Sequence, residues 1–224
     1  MRGPAERHNR SVGRTGAQPT RIRLGRVEAF SDGVFAISIT LLILEIAVPE
    51  DAGDRLLRAL ADLWPAYLAY LVSFATIGAA WYVHSVITGY LEHATAMLVR
   101  LNLLLLMVVA FLPFPTHLFS LYIGEQKPER IATTLYGTTL LLAGLLVSLL
   151  WRYAVHAGLV RPDADPEDVA ALTRRLTPGL AGYLVMIALG LFLPVVAAFG
   201  YLAIALFTLA PIALFTRPRR GAPR

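Results

Sequence analysis

Apolar runs of membrane-crossing length follow one another from residue 27 to residue 216, and no other feature of this sequence restricts its fold as much. A spanning helix needs roughly 20 mainly apolar residues. By that measure spans are predicted at 27–48, 63–87, 96–119, 131–155, 178–197 and 198–216. The last two form one continuous stretch, divided at residues 194–200, where proline and glycine favour a turn. Pro49, Pro113, Pro115 and Pro128 punctuate other ends. Composition agrees, with 57% hydrophobic residues against 16% charged and a mean hydropathy of +0.62. The expected fold is all-α: a six-helix membrane domain over residues 26–216, preceded by a disordered basic arm at 1–25 and followed by a basic tail at 217–224. The arm has neither an apolar core nor a small-residue cleavage site, so no secretory signal is expected and the first span is retained.

Charge gives the orientation. With the N-terminus inside, sixteen of the 20 Lys and Arg residues fall in cytoplasmic segments, and only Arg55, Arg58, Lys127 and Arg130 lie outside. The positive-inside rule therefore puts both termini in the cytoplasm. The same distribution suits membrane topology better than nucleic-acid binding, even at a pI of about 9.8. Trp64, Trp81 and Trp151 fall near span ends, where an interfacial belt would put them. With no cysteine in the chain, disulfides, thiolate metal sites and cysteine nucleophiles are excluded. His84, His93, His117 and His156 are scattered, and Asp163, Asp165, Glu167 and Asp168 lack calcium-loop spacing and read as a solvated loop leading into a short helix, so no metal centre or cofactor is expected. No nucleophile elbow or phosphate-binding glycine loop supports catalysis. Thr133, Thr134, Thr138 and Thr139 with Gly137 suit helix contact better than an ion path.

The first span carries polar residues that a lipid-facing helix would avoid. In Arg26–Leu44, RVEAFSDGVFAISITLLIL, Asp32 lies one to two turns inside the cytoplasmic start. His84 on the second span and Asn102 on the third reach a similar depth, and intramembrane ionisable groups usually face the bundle and find partners. Both are the nearest expected partners of Asp32. At 100° per residue Ile37, Thr40, Leu41 and Leu44 share one stripe, while Asp32 lies about 140° from Ile37. One face of this helix is thus apolar with a threonine, and another carries the acid.

Arg26-x-x-x-Phe30-Ser31-Asp32, continued by Gly33-Val34-Phe35-Ala36-Ile37, resembles the first-helix signature of the transmembrane protein 175 family of potassium channels, in its prokaryotic single-repeat form. Trp81 with His84 on the second span and Asn102 before Phe-Leu-Pro-Phe-Pro on the third add to the resemblance. It implies a homotetramer in a prokaryotic plasma membrane, with the first helix of each subunit lining a central pore for potassium ions. It further implies a hydrophobic constriction at Ile37, Leu41 and Leu44, with Thr40 beside the first ring. Arg26, Phe30, Ser31, Asp32, Trp81, His84 and Asn102 would form the structural network behind it. No Thr-Val-Gly-Tyr-Gly filter is present, and Thr88-Gly89-Tyr90 echoes only part of one. The competing reading is a proton-coupled secondary transporter that uses Asp32 and His84 as a relay.

Overall fold

A computed structural model describes residues 23–49, 53–123 and 126–210 of the chain. Most of the expected N-terminal arm, the basic tail and the end of the sixth expected span lie outside these residues. Among the described residues the protein is all-helical: α1 (Leu24–Leu41), α2 (Leu56–Asp62), α3 (Trp64–Tyr90), α4 (Ala96–Phe111), α5 (Pro113–Tyr122), α6 (Gln126–His156), α7 (Pro166–Gly190) and α8 (Pro194–Leu209). A 3-10 turn, Leu42–Glu45, extends α1. Four helical stretches among the described residues have the length and hydropathy to cross a membrane: Leu24–Glu45, Trp64–Tyr90, Ala96–Tyr122 and Pro128–His156. The 16-residue α8 is a shorter apolar helix.

Local chemistry explains several element ends. The Thr95 hydroxyl caps α4 by accepting from the Leu98 amide at 3.3 Å, and the Asp165 carboxylate caps α7 by accepting from the Glu167 amide at 2.9 Å. The third expected span is two helices, because Pro113 has no amide hydrogen to continue α4 and instead opens α5. The α3–α4 and α6–α7 connections are zipped together. The Glu92 amide donates to the Leu159 carbonyl and the Arg161 amide to the Tyr90 carbonyl, both at 2.9 Å.

The last part of the chain departs from the expected division. Helix α7 starts at Pro166, twelve residues before the expected 178, and continues through Pro178. The turn into α8 is Leu191–Leu193, not 194–200. Pro194 sits in the first turn of α8, where its missing amide hydrogen costs nothing. Gly200 lies within that helix and serves packing: a Cβ there would stand 1.9 Å from Met186 Sδ. Both residues were read as turn formers when one begins a helix and the other permits helix contact.

The core joins α3, α4, α5, α6 and α8 around large aromatic side chains. Phe119 stacks on Tyr136 at 5.4 Å between ring centroids, and Tyr136 meets Tyr201 edge-on at 5.8 Å. Ser73 links α3 to the Thr116 hydroxyl of α5 at 2.8 Å and to the Tyr136 hydroxyl of α6 at 2.7 Å. Gly137 allows Tyr201 to approach α6, since a Cβ there would lie 2.0 Å from Tyr201 Oη. Thr133 and Thr139 are buried on the same helix. Trp151 is fully buried and donates from Nε1 to Thr173 Oγ1 at 2.8 Å, so it joins α6 to α7 instead of marking an interface, whereas Trp64 is half-exposed at the start of α3.

Candidate functional site

Helix α1 is the least enclosed of the four membrane-length stretches, with 28% of its apolar stretch buried against 50%, 50% and 56% for the others. It packs on α3 and α4 along a single face. Val27, Ser31, Phe35, Ser38 and Leu42 are buried there, at spacings of four, four, three and four residues. Both serines satisfy their hydroxyl hydrogens within the helix: Ser31 donates to the Val27 carbonyl and Ser38 to the Val34 carbonyl, each at 2.8 Å. These bonds let polar residues occupy the packed face without an unpaired donor.

The opposite side of α1 is open in the single chain. Ile37 is 61% exposed, Leu41 42% and Leu44 70%, and Phe30 and Arg26 are exposed with them. Thr40 is exposed in the same sector, and its hydroxyl donates to the Ile37 carbonyl at 2.9 Å. That bond uses the hydroxyl hydrogen, so the lone pairs of Oγ1 remain able to face a cation. The stripe drawn from helical geometry therefore coincides with the surface that α3 and α4 leave uncovered.

Behind the stripe, two hydrogen-bonded connections tie α1 to its neighbours. In one, Asn102 of α4 donates from Nδ2 to Ser31 Oγ at 2.9 Å, and its Oδ1 lies 2.8 Å from His84 Nε2 of α3. An amide oxygen can only accept, so Nε2 of His84 carries the hydrogen. Donation then runs without conflict from His84 to Asn102, to Ser31, to the Val27 carbonyl. All three side chains are buried, and Phe35 packs its ring 5.6 Å from the imidazole. In the other connection, Trp81 Nε1 of α3 donates to Asp32 Oδ1 at 2.9 Å.

The second connection corrects the expected partners of Asp32. Ser31, not Asp32, engages the Asn102–His84 pair. One residue is 100° of helical rotation, which turns Ser31 toward α4 and carries Asp32 around to the exposed flank beside α3. There it meets an indole N–H, a donor with no acceptor function. Of the seven residues expected in the network, Ser31, Asp32, Trp81, His84 and Asn102 enter these bonds, while Arg26 and Phe30 stand on the exposed side.

Elsewhere, Thr88-Gly89-Tyr90 is the end of α3, with the Thr88 hydroxyl donating to the Ser85 carbonyl at 3.2 Å, and so it is helix and not a filter loop. A contact that sequence reasoning missed pairs Glu45 with His117 Nδ1 at 2.5 Å, joining the 3-10 turn to α5. Nothing in their spacing of 72 residues signals it. Among the described residues there is no cluster of three or more His, Asp or Glu side chains able to hold a metal ion.

Comparison with known proteins bears on the same region. Residues 26–113, which hold most of α1 and all of α2, α3 and α4, match the family described as endosomal/lysosomal potassium channel TMEM175. A potassium channel of Streptomyces collinus is 42% identical over 161 residues, covering 71% of this chain and 78% of that protein. A potassium channel of Chamaesiphon minutus is 42% identical over 179 residues, covering 76% of this chain and 86% of that protein. The crystal structure of a lysosomal potassium-selective channel TMEM175 homolog from Chamaesiphon minutus superposes with a TM-score of 0.75 at 35% identity, over 83% of this chain and 96% of that one. The human endosomal/lysosomal proton channel TMEM175 is 36% identical over 139 residues, which are 58% of this chain and 28% of that longer protein.

Proposed function

The chain belongs to the TMEM175 channel family, and from that membership we propose that it is a potassium-selective, or potassium-preferring, cation channel, assembled as a homotetramer in a prokaryotic plasma membrane. The observation that carries the pore assignment is the exposure of Ile37, Leu41 and Leu44 on a helix whose other face is fully packed. One subunit leaves this apolar stripe without a partner. Four copies around an axis bring the stripes together into rings, a neck of the kind that gates by expelling water. Thr40 Oγ1, with its hydrogen already spent on the Ile37 carbonyl, offers an oxygen beside the first ring to an ion that has shed part of its hydration shell. The six-span topology with both termini cytoplasmic adds α7 and α8 to the four membrane-length stretches and follows the distribution of Lys and Arg.

Within this reading the Ser31–Asn102–His84 chain and the Trp81–Asp32 bond fix the rotation of α1 from behind. A rotation of one residue, 100°, would exchange Ile37 for a neighbour in the neck, so the helix must be held in register as well as in place. The transporter alternative needs Asp32 and His84 in one relay. They belong to separate hydrogen-bonded connections, which favours scaffold roles for both.

The test is reversal potential in planar bilayers, first under a potassium-for-sodium gradient and then under a proton gradient, for the parent and Ile37→Asn. The parent should reverse near the potassium potential, and Ile37→Asn should raise conductance and weaken the preference, because four amides stabilise water where four aliphatic chains repel it. Electroneutral, saturable flux would establish the carrier. Reversal that follows the proton gradient alone would assign the pore to protons, the ion named for the animal relatives. Unchanged conductance and selectivity in folded Ile37→Asn would remove Ile37 from the neck.

A further inference from the structure

Away from α1, helices α3, α6, α7 and α8 surround a partly open cavity of about 80 Å³. That is well above the roughly 10–15 Å³ that a single water needs. Val83, Leu140, Leu172, Leu180 and Ile204 make its walls largely aliphatic. Gly179 contributes to the void directly, since a Cβ at that position would meet no atom within 4 Å. It follows Pro178, whose ring nitrogen cannot donate to the Arg174 carbonyl, so α7 runs past the cavity with one backbone hydrogen bond missing.

Polar groups gather toward one end. Arg175 lines the cavity at the level of the last turn of α8, with Thr208 from that helix and Ser148 from α6. The guanidinium is positioned by the α8 carboxyl end: Nη2 shares its two hydrogens among the Phe207 carbonyl at 2.8 Å, the Thr208 carbonyl at 3.1 Å and the Ala210 carbonyl. It also lies 5.8 Å from the centre of the Phe207 ring. From Arg175 to Tyr183, the wall runs eight residues along α7, about 12 Å at 1.5 Å per residue. The cavity is thus an apolar slot with one positively charged end, at the end of the bundle where the α3–α4 and α6–α7 connections lie.

We propose that this cavity is a binding site for an anionic phospholipid, with one acyl chain in the slot and the headgroup phosphate on Arg175. An unfilled apolar cavity forfeits dispersion contacts along its walls, and water gains too few partners there to fill it. In a bilayer the abundant apolar filler is an acyl chain. A guanidinium prefers a phosphate because two N–H groups can meet two oxygens, and that contact is strong where water is scarce. Arg175 is already held by carbonyl contacts, so little side-chain freedom is lost when a headgroup binds. The proposal concerns the peripheral helices and stands independently of what the pore conducts.

Native mass spectrometry of the intact protein, released from detergent after equilibration with palmitoyl-oleoyl phosphatidylglycerol or phosphatidylcholine, tests it. Phosphatidylglycerol should be retained about tenfold better than phosphatidylcholine, which carries the same phosphate but adds a quaternary ammonium whose positive charge opposes that of Arg175. Arg175→Gln should abolish that preference. Since Arg175 also caps α8 and its replacement can weaken the fold, Gly179→Leu is the second variant. It fills the slot, improves helix propensity, leaves Arg175 in place, and should reduce retention of phosphatidylglycerol to the background of the phosphatidylcholine measurement. Undiminished retention in folded Gly179→Leu, or an unchanged preference in folded Arg175→Gln, overturns the proposal. So does equal or absent retention of the two lipids by the parent. Displacement of phosphatidylglycerol by equimolar oleate would make a free fatty acid the occupant and overturn the phospholipid assignment.

Discussion

Replacing Asn102 by alanine should destabilise the protein far more than neutralising Asp32, although Asp32 is the charge that draws attention in the sequence. Asn102 is 2% exposed and makes two bonds between helices, to His84 Nε2 at 2.8 Å and to Ser31 Oγ at 2.9 Å. Interhelical hydrogen bonds in membranes average about 0.6 kcal/mol and reach about 1.7. Two of them account for about 1–3 kcal/mol. The substitution also strands the buried His84 N–H, which adds about 1–3 kcal/mol. Allowing for partial relaxation, Asn102→Ala should cost about 2–4 kcal/mol. Asp32→Asn keeps a carbonyl oxygen for the Trp81 indole, so its cost should stay below about 0.5 kcal/mol, and Asp32→Ala should lose about one average bond. Equilibrium unfolding in mixed micelles titrated with dodecyl sulfate measures the differences. A double-mutant cycle of Asn102→Ala with Ser31→Ala isolates their bond and should give a coupling of about 0.6–1.7 kcal/mol. Additivity within about 0.3 kcal/mol, or an Asp32→Asn cost as large as that of Asn102→Ala, would refute the reasoning.

Two further outcomes follow from particular contacts. Thr40→Val keeps the side-chain shape but removes the oxygen beside the proposed neck. It should lower the potassium-to-sodium permeability ratio about two- to tenfold, the equivalent of one polar contact of about 0.5–1.5 kcal/mol; Thr40→Ser should retain the ratio, and equal ratios in all three proteins would dismiss the hydroxyl. Gly137→Ala puts a methyl 2.0 Å from Tyr201 Oη and 2.8 Å from Ile187 Cγ1, and should cost about 1–3 kcal/mol in the same unfolding assay. Tyr201→Phe removes a buried hydroxyl that has no hydrogen-bond partner among the described residues. It should be neutral or stabilising alone and should recover part of the Gly137→Ala loss, whereas a purely additive double variant would show that the two residues do not meet.

Hydropathy fixes membrane residence and the helical class because both are one-dimensional properties: run length and composition suffice, and no distant residue needs to be known. Helical rotation is local too, so the separation of the Ile37 stripe from Asp32 is readable from residue numbers alone. The acidic run at 163–168 announces a short helix, but its continuation into the fifth span as one α7 was not readable in this way, because its first turns are polar and amphipathic and a search for apolar runs passes over them. Pro194 and Gly200 misled for a related reason: the same residue type starts a helix, ends one or admits a neighbour according to what packs beside it. Depth along three helices brings Asp32, His84 and Asn102 to one level, but a shared level leaves open which groups face each other. Tertiary packing decides that by setting the rotation and distance of α3 and α4 about α1. It joined Asn102 to Ser31, gave the Trp81 indole to Asp32, and left Ile37, Thr40, Leu41 and Leu44 facing outward. Hydrogen bonds act over about 3 Å, so a neighbour displaced by one residue, 1.5 Å along and 100° around, exchanges one partner for another.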